Sequence, residues 1–380
     1  MMINYSGLSK LKTKKVVFHE VFAASDSDTL EQLKELSSKR RVIEGSINES
    51  SSITEAIARE MSGGLTSRCE QDIQKLEQYL PLLENLVYHV NTVRNNPSVV
   101  RWTSGLKLRW TSALSSSSII HLKGPKYFQI NDLRFELGMM LFLYGTMLRE
   151  KALEILQTDL VQSTALYRKA AGVYQHLAQE VLPPLRLVMA VEKLPESTSS
   201  VSSVMSLVCL AEAQAVTARK AEQKGNSQSL LAKLHCGVRD ILDEALGILH
   251  SATKDCKAIS SRLADFIMSC RTLHELKSHK YLAESLLKTD GNIGAAVGVL
   301  RHTLSNVEKS SLKEDSWRLV FKQLTEEITE LLRKSEHEND FVWHEKIPTR
   351  YELPSLEAVK IVSPIPYQPQ RSEKTLTFKI

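Results

Sequence analysis

The sequence predicts a mainly α-helical protein of stacked helix hairpins, with a small β-hairpin in its N-terminal part and an extended tail packed on the helices. Three observations predict this. Glycine (15) and proline (11) are scarce among 380 residues and aromatics reach only 6%, which favours long helices over a many-stranded barrel or sandwich. Apolar residues recur at helical spacing through most of the chain. After about Glu338 the composition changes. Pro348, Pro354, Pro364, Pro366 and Pro369 exclude helix there, yet Phe341, Trp343, Ile347, Tyr351, Leu353, Val359, Ile361, Ile365 and Tyr367 are too apolar for a free linker.

Taken in order, Lys15–Phe22 reads as a short strand or extended arm. Ser25–Asp28 caps a helix from Leu30 to about Ile47, a second runs from Ile53 to Met61, and Ser62-Gly-Gly64 stops it. A long helix follows over 67–94, with Leu76, Leu80, Leu83, Leu86 and Val90 on one face. Val99–Trp102 and Leu106–Trp110, flanking Thr103-Ser-Gly105, alternate and are rich in Val and Trp, so they predict a β-hairpin. Ser115–Ser118 is a low-complexity loop or strand edge. From Tyr127 the chain reads as helix over 127–156, 163–181, 204–221, 230–254, 260–288, 293–307 and 316–334. Tyr281, Leu282, Ala283, Leu286, Gly294, Ala295, Leu300 and Leu304 suggest tetratricopeptide-like (TPR-like) stacking, without a clean 34-residue repeat. The organisation is one domain over 1–369, with N-terminal helices and hairpin in 1–126, a helical middle in 127–337 and a wrapped tail in 338–369. Residues 370–380 are expected to be loose.

The stretch Val204–Val238 organises the middle. Gly225-Asn-Ser227 breaks one helix and caps the next. In that second helix Leu230, Leu231, Leu234, Val238, Ile241, Leu242, Ala245 and Leu249 fall in one arc roughly 120° wide, with Leu230 at its edge beside Lys233. The simplest reading is a core hairpin. The sharper one makes the Leu230/Leu234 edge a docking groove.

Composition bounds the function. Hydrophobic residues at 42% and charged residues at 24% are ordinary for a globular protein, and the net charge is only +5. There is no finger spacing, RNP-type aromatic motif or dense Lys/Arg block, so nucleic acid is not expected as a partner. A modest basic patch favours at most peripheral contact with an anionic membrane surface. Cys69, Cys209, Cys236, Cys256 and Cys270 are odd in number and scattered through apolar helical patterns, which points to reduced thiols in a cytoplasmic setting. The N-terminus has no apolar signal core, the longest apolar run (Gly138–Leu148) is too short to span a bilayer, and neither a myristoylation nor a prenylation signal is present.

Catalytic and cofactor motifs are missing. There is no P-loop, HExxH, GxSxG or CxxC. His344-Glu345 lacks a second histidine, His235-Cys236 lacks a second ligand pair, and Gly291-Asn-Ile-Gly294 reads as a helix-pair turn. Glu136, Glu150 and Glu154 read as solvent-facing or intrahelically paired. No metal or cofactor is implied, and an enzyme is disfavoured. Pro366–Pro369 has PxxP spacing, which arises often by chance.

Three segments in order resemble a known family. They are Tyr127–Gly138 (YFQINDLRFELG) with Tyr167–Tyr174, Leu207–Gln214 (LVCLAEAQ) with Leu230–Leu234, and Glu338–Pro348 (ENDFVWHEKIP) with Leu353-Pro354 and Val362–Pro366. Together they resemble the Bro domain of ALIX-like endosomal-sorting adaptors, over nearly the whole chain and as a stand-alone domain. The resemblance implies a curved helical rod with a TPR-like middle and a small sheet. It implies a non-enzymatic adaptor, recruited from the cytoplasm to endosomes, whose hydrophobic groove takes a C-terminal amphipathic helix of an ESCRT-III subunit of the charged multivesicular body protein class. The family's apolar groove positions fall on Leu230 and Leu234, and its flanking basic positions on Lys220 and Lys233. An aromatic position of ALIX falls on Thr217, and a tyrosine on Trp343, so phosphotyrosine signalling there is excluded. Two other readings share the fold: a scaffold for a different helical peptide, kept alive by Thr217, and a peripheral membrane-associated rod.

Overall fold

The computed structural model of the chain describes Tyr5, Leu8 and residues 10–48, 67–115, 125–187, 194–307, 315–349, 352–370, 372 and 374–379. The expected helix at Ile53–Met61 and most of the serine run lie outside the described residues. The helices are α1 (Phe18–Val21), α2 (Ser27–Asn48), α3 (Arg68–Thr92), α4 (Pro97–Gly105), α5 (Leu133–Glu154), α6 (Leu160–His176), α7 (Ser199–Gln223), α8 (Gln228–Asp255), α9 (Ser261–Ser285), α10 (Ile293–Val307) and α11 (Asp315–Glu338). From α5 onward each packs on the next in sequence, so the array grows one helix at a time. Short polar side chains start them. Asp132 Oδ1 accepts from Arg134 N (2.8 Å), Asp159 Oδ1 from Val161 N and Gln162 N (both 2.9 Å), and Ser227 Oγ from Leu230 N (3.3 Å), each satisfying donors that the helix leaves open.

The fold is mainly α with one small sheet, but the sheet is not the expected hairpin. Val99–Trp102 lies inside α4. Asn96 Oδ1 accepts from Ser98 N (2.9 Å) and Pro97 occupies the first helical turn, a start signal that outweighs the β preference of Val and Trp. Leu108–Trp110 is a strand, β1, and its antiparallel partner is β2 (Phe128–Ile130), with Leu108 opposite Ile130 and Trp110 opposite Phe128. The helix expected from Tyr127 therefore begins only at Leu133.

A large apolar core runs through the array, and two buried ion pairs tie α2 to α5 and α5 to α7. Arg40 of α2 meets Glu136 of α5, and Trp110 Nε1 donates to the same carboxylate (2.8 Å). Glu136 is thus fully buried, not solvent-facing, because it answers a buried guanidinium and an indole N–H. Arg149 of α5 makes a fork on Glu212 of α7 (2.5 and 2.8 Å). Helix α7 is long and apolar enough to cross a bilayer by composition, but 78% of its apolar window is buried among its neighbours.

The tail crosses the helices from α10 back to α2. Gly294 N donates to Glu345 Oε2 (2.7 Å), Val359 N to the carbonyl of Lys233 on α8 (3.1 Å), and Ile365 N to the carbonyl of Arg168 on α6 (3.0 Å). Tyr367 Oη then reaches Glu84 on α3 (2.7 Å), and Asn85 Nδ2 donates to the Lys374 carbonyl (2.8 Å). Glycines mark the route. A Cβ on Gly172 would collide with the Ile365 carbonyl, and one on Gly237 with the Val359 carbonyl. The last residues are seated, contrary to the expected loose end. Leu376 and Phe378 are buried, Phe378 packs on Phe22 and Trp102 (5.9 and 6.2 Å), and Ser25 N donates to the Thr377 carbonyl (3.0 Å). Two apolar side chains and an antiparallel bridge to Ala24 hold a segment whose polar composition suggested freedom.

Candidate partner-binding groove

The α7–α8 hairpin turns at Gly225, whose φ of +69° is the left-handed conformation that ends a helix. This brings the last turns of α7, carrying Thr217 and Lys220, beside the first turns of α8, carrying Leu230, Lys233 and Leu234. Leu230 is 36% exposed and Leu234 only 2%. The expectation that both face outward therefore fails at Leu234. Four residues of α-helix advance by 40°, which moves Leu234 from the edge of the apolar arc toward its centre. The tail then crosses the same turn, bonded to the Lys233 carbonyl and resting on Gly237.

Gln214, one turn before Thr217 on α7, clamps that crossing. Its Nε2 donates to the Val359 carbonyl (2.7 Å) and its Oε1 accepts from Ile361 N (3.1 Å). The clamp leaves Ile361 56% exposed. Beneath, Ala213 and Val216 join Ala152, Leu156 and Tyr167 in a satellite apolar cluster on which Val362 packs. The face thus has an apolar residue on α8 (Leu230), another on the tail (Ile361), and the half-buried Thr217 on α7. Thr217 Oγ1 is spent on its own helix, donating to the Ala213 carbonyl (2.9 Å). Ile361 escaped the sequence reading, which saw the tail as packed.

Lys220 and Lys233 are half-buried, and among the described residues neither ammonium has an ion-pair partner, so the rim is cationic. Behind it, Tyr281 of α9 donates to Glu222, and its ring stacks on His235 (5.5 Å, 8° between planes). His235 Nδ1 lies 3.0 Å from His274 Nδ1. Burial, reinforced by Lys277, holds His235 well below the usual imidazole range, and burial beside His235 does the same to His274. This buried polar pair joins α8 to α9. Among the described residues no group of three or more His, Cys, Asp or Glu is placed to hold a metal ion. The arrangement suits non-covalent docking of an amphipathic helix.

The BRO1-like domain profile matches residues 34–379. The chain belongs to the BRO1-like domain family. Among curated relatives, programmed cell death 6-interacting protein of Xenopus laevis is 25% identical over 276 residues, covering 71% of this chain and 30% of that protein. Human BRO1 domain-containing protein BROX is 24% identical over 323 residues, covering 79% of this chain and 74% of that protein. The pH-response regulator palA/RIM20 of Pyricularia oryzae is 28% identical over 255 residues, covering 63% and 28%. The chain thus spans under a third of two of these BRO1-like relatives and about three quarters of the third. Among solved structures, a complex described as ALIX BRO1 with CHMP4C superposes with a TM-score of 0.71 at 17% identity, covering 98% of both chains. One described as the structural basis for endosomal targeting by the Bro1 domain superposes at 0.70, also at 17% identity, covering 96% of this chain and 94% of that one. At this identity the likeness establishes the shared fold.

Proposed function

We propose that this BRO1-like chain is a non-enzymatic adaptor of the endosomal sorting and multivesicular body pathway. It acts from the cytoplasmic side of endosomes by binding the C-terminal amphipathic helix of an ESCRT-III subunit of the charged multivesicular body protein class across the α7–α8 hairpin. The observation that carries this reading is the pairing of two exposed apolar residues, Leu230 and Ile361, with two cations, Lys220 and Lys233, that have no ion-pair partner among the described residues, at one end of that hairpin. The solved ALIX BRO1 complex with CHMP4C supports the partner class. An apolar helix face would cover Leu230 and Ile361, and acidic residues flanking it would meet the lysines and set its direction. Thr217 offers little apolar area, so Leu230 and Ile361 carry more of the affinity than they would beside an aromatic ring.

The test is titration of a labelled C-terminal helix peptide of a CHMP4-class subunit into wild type and Leu230→Asp. Leu230 is the diagnostic position because an aspartate at the buried Leu234 would unfold the hairpin. Leu230→Asp should weaken binding by about 30-fold or more, roughly 2 kcal/mol, with an unchanged melting temperature. Equal affinities in two folded proteins would refute the groove.

A further inference from the structure

The tail segment Pro366-Tyr-Gln-Pro369-Gln370, followed in sequence by Arg371, has no part in the groove, and its geometry points to a second docking function. We infer that Pro366–Gln370 is a docking segment for an SH3-type domain, held ready on the outside of the tail.

Four observations lead there. First, the spacing is P-x-x-P with a cation two residues after the second proline. An SH3 groove takes two proline-bearing turns of a polyproline II helix between aromatic rings, and a basic residue beside them supplies charge complementarity. Second, the backbone has little freedom. Pro364, Pro366 and Pro369 fix their own φ, and Ser363, Ile365 and Gln368, each preceding a proline, are pushed toward extended conformations. The chain there is extended, with neither helix nor strand.

Third, the segment presents the correct side. Polyproline II has three residues per turn, so Pro366 and Pro369 share an edge. Both are exposed, as are Gln368 and Gln370, while Tyr367 turns inward. Tyr367 packs its ring against His176 (5.2 Å) and edge-on to Tyr144 (6.3 Å), and its hydroxyl donates to Glu84 (2.7 Å). Ile365 pins the other end on α6. Fourth, between its anchors at Ile365 and Tyr367 the segment is not packed solidly on the helices. A pocket of about 490 Å³ opens alongside it, with Pro81, Tyr144, Lys169 and Val173 on the helix side and Pro366, Tyr367 and Gln368 on the tail side. The folded protein thus holds the segment extended and pinned at both ends, which lowers an ordering cost that a free peptide meets on binding. Ile361 and Pro369 are eight residues apart, roughly 25 Å at 3.1 Å per residue, so an SH3-type domain and a helix in the groove have separate footprints.

The experiment uses the full chain, immobilised and probed with a panel of purified SH3 domains, with the strongest binder titrated by calorimetry. Saturable binding is expected, weakened about tenfold or more both by Pro366→Ala combined with Pro369→Ala and, separately, by Arg371→Glu. The second variant keeps every proline, so it decides the matter if the first unseats the tail, which a drop in melting temperature would reveal. A peptide spanning residues 362–373 should bind no more tightly than the full chain. The inference is overturned if no SH3 domain of the panel binds the full chain, if Arg371→Glu binds as wild type does, or if only the free peptide binds.

Discussion

The helical array and the tail are held together by different means. Helices α5 to α9 meet through side chains: apolar residues interdigitate, and the Arg149–Glu212 pair is buried between α5 and α7. The tail meets the same helices largely through its backbone, by hydrogen bonds to the carbonyls of Lys233 and Arg168 and to the Gln214 amide, with Gly172 and Gly237 admitting it to contact distance. A side-chain interface can repack after a small change, whereas a backbone laid on a glycine has nowhere to move but away. The array should therefore fail as a whole, and the tail should lift one contact at a time.

The largest expected effect breaks the array. Arg149→Met leaves the Glu212 carboxylate buried without its cation, and chemical denaturation should show a loss of about 3–5 kcal/mol in a single transition. A loss below about 1 kcal/mol would mean that the pair adds nothing to the packing around it. Next comes the tail. Gly172→Ala should gain about 1 kcal/mol in helix propensity, yet net destabilise by about 2 kcal/mol because the new methyl displaces Ile365. Hydrogen exchange should show the loosening confined to the tail. The same substitution at Gly247, where a Cβ meets nothing, should stabilise by about 0.5–1 kcal/mol. If both variants move the same way, the glycine route does not govern the tail.

The third prediction concerns acid. His235 and His274 are held neutral by burial in the fold but take up protons near the ordinary imidazole value of about 6.5 once unfolded. Their contribution is complete above that pH and is lost as the pH falls below it toward their depressed folded values. The linkage slope is at most about 1.4 kcal/mol per pH unit for each group. His274→Gln should flatten the fall in stability between about pH 6.5 and 5 by roughly that amount. Parallel curves for variant and wild type would show that His274 is not held neutral.

Much of the array was legible because burying one face of a helix imposes a 3.6-residue period. The bounds of α10, and the core placement of Leu231, Val238 and Leu242, follow from it. The failures share one cause, a partner distant in sequence. β1 was readable as a strand, but its mate at Phe128–Ile130 lies across a long connection, and the nearer Val99–Trp102 took its place in the reading although Asn96-Pro97 announces a helix. Glu136 reads as a surface carboxylate until Arg40 and Trp110 are seen around it. The groove divides the same way. The partial exposure of Leu230 and the burial of Leu234 both follow from their places in the apolar arc, whereas the exposure of Ile361 depends on where the tail crosses α7.

The central claim is that a partner helix lies across the α7–α8 hairpin against the tail crossing. Hydrogen exchange measured with and without saturating CHMP4-class C-terminal helix peptide tests it directly. The account predicts slowed exchange confined to the end of α7 from Thr217, the first turns of α8 through Leu234, and Val359–Val362. Protection elsewhere on the array, with these three segments unchanged, would contradict it.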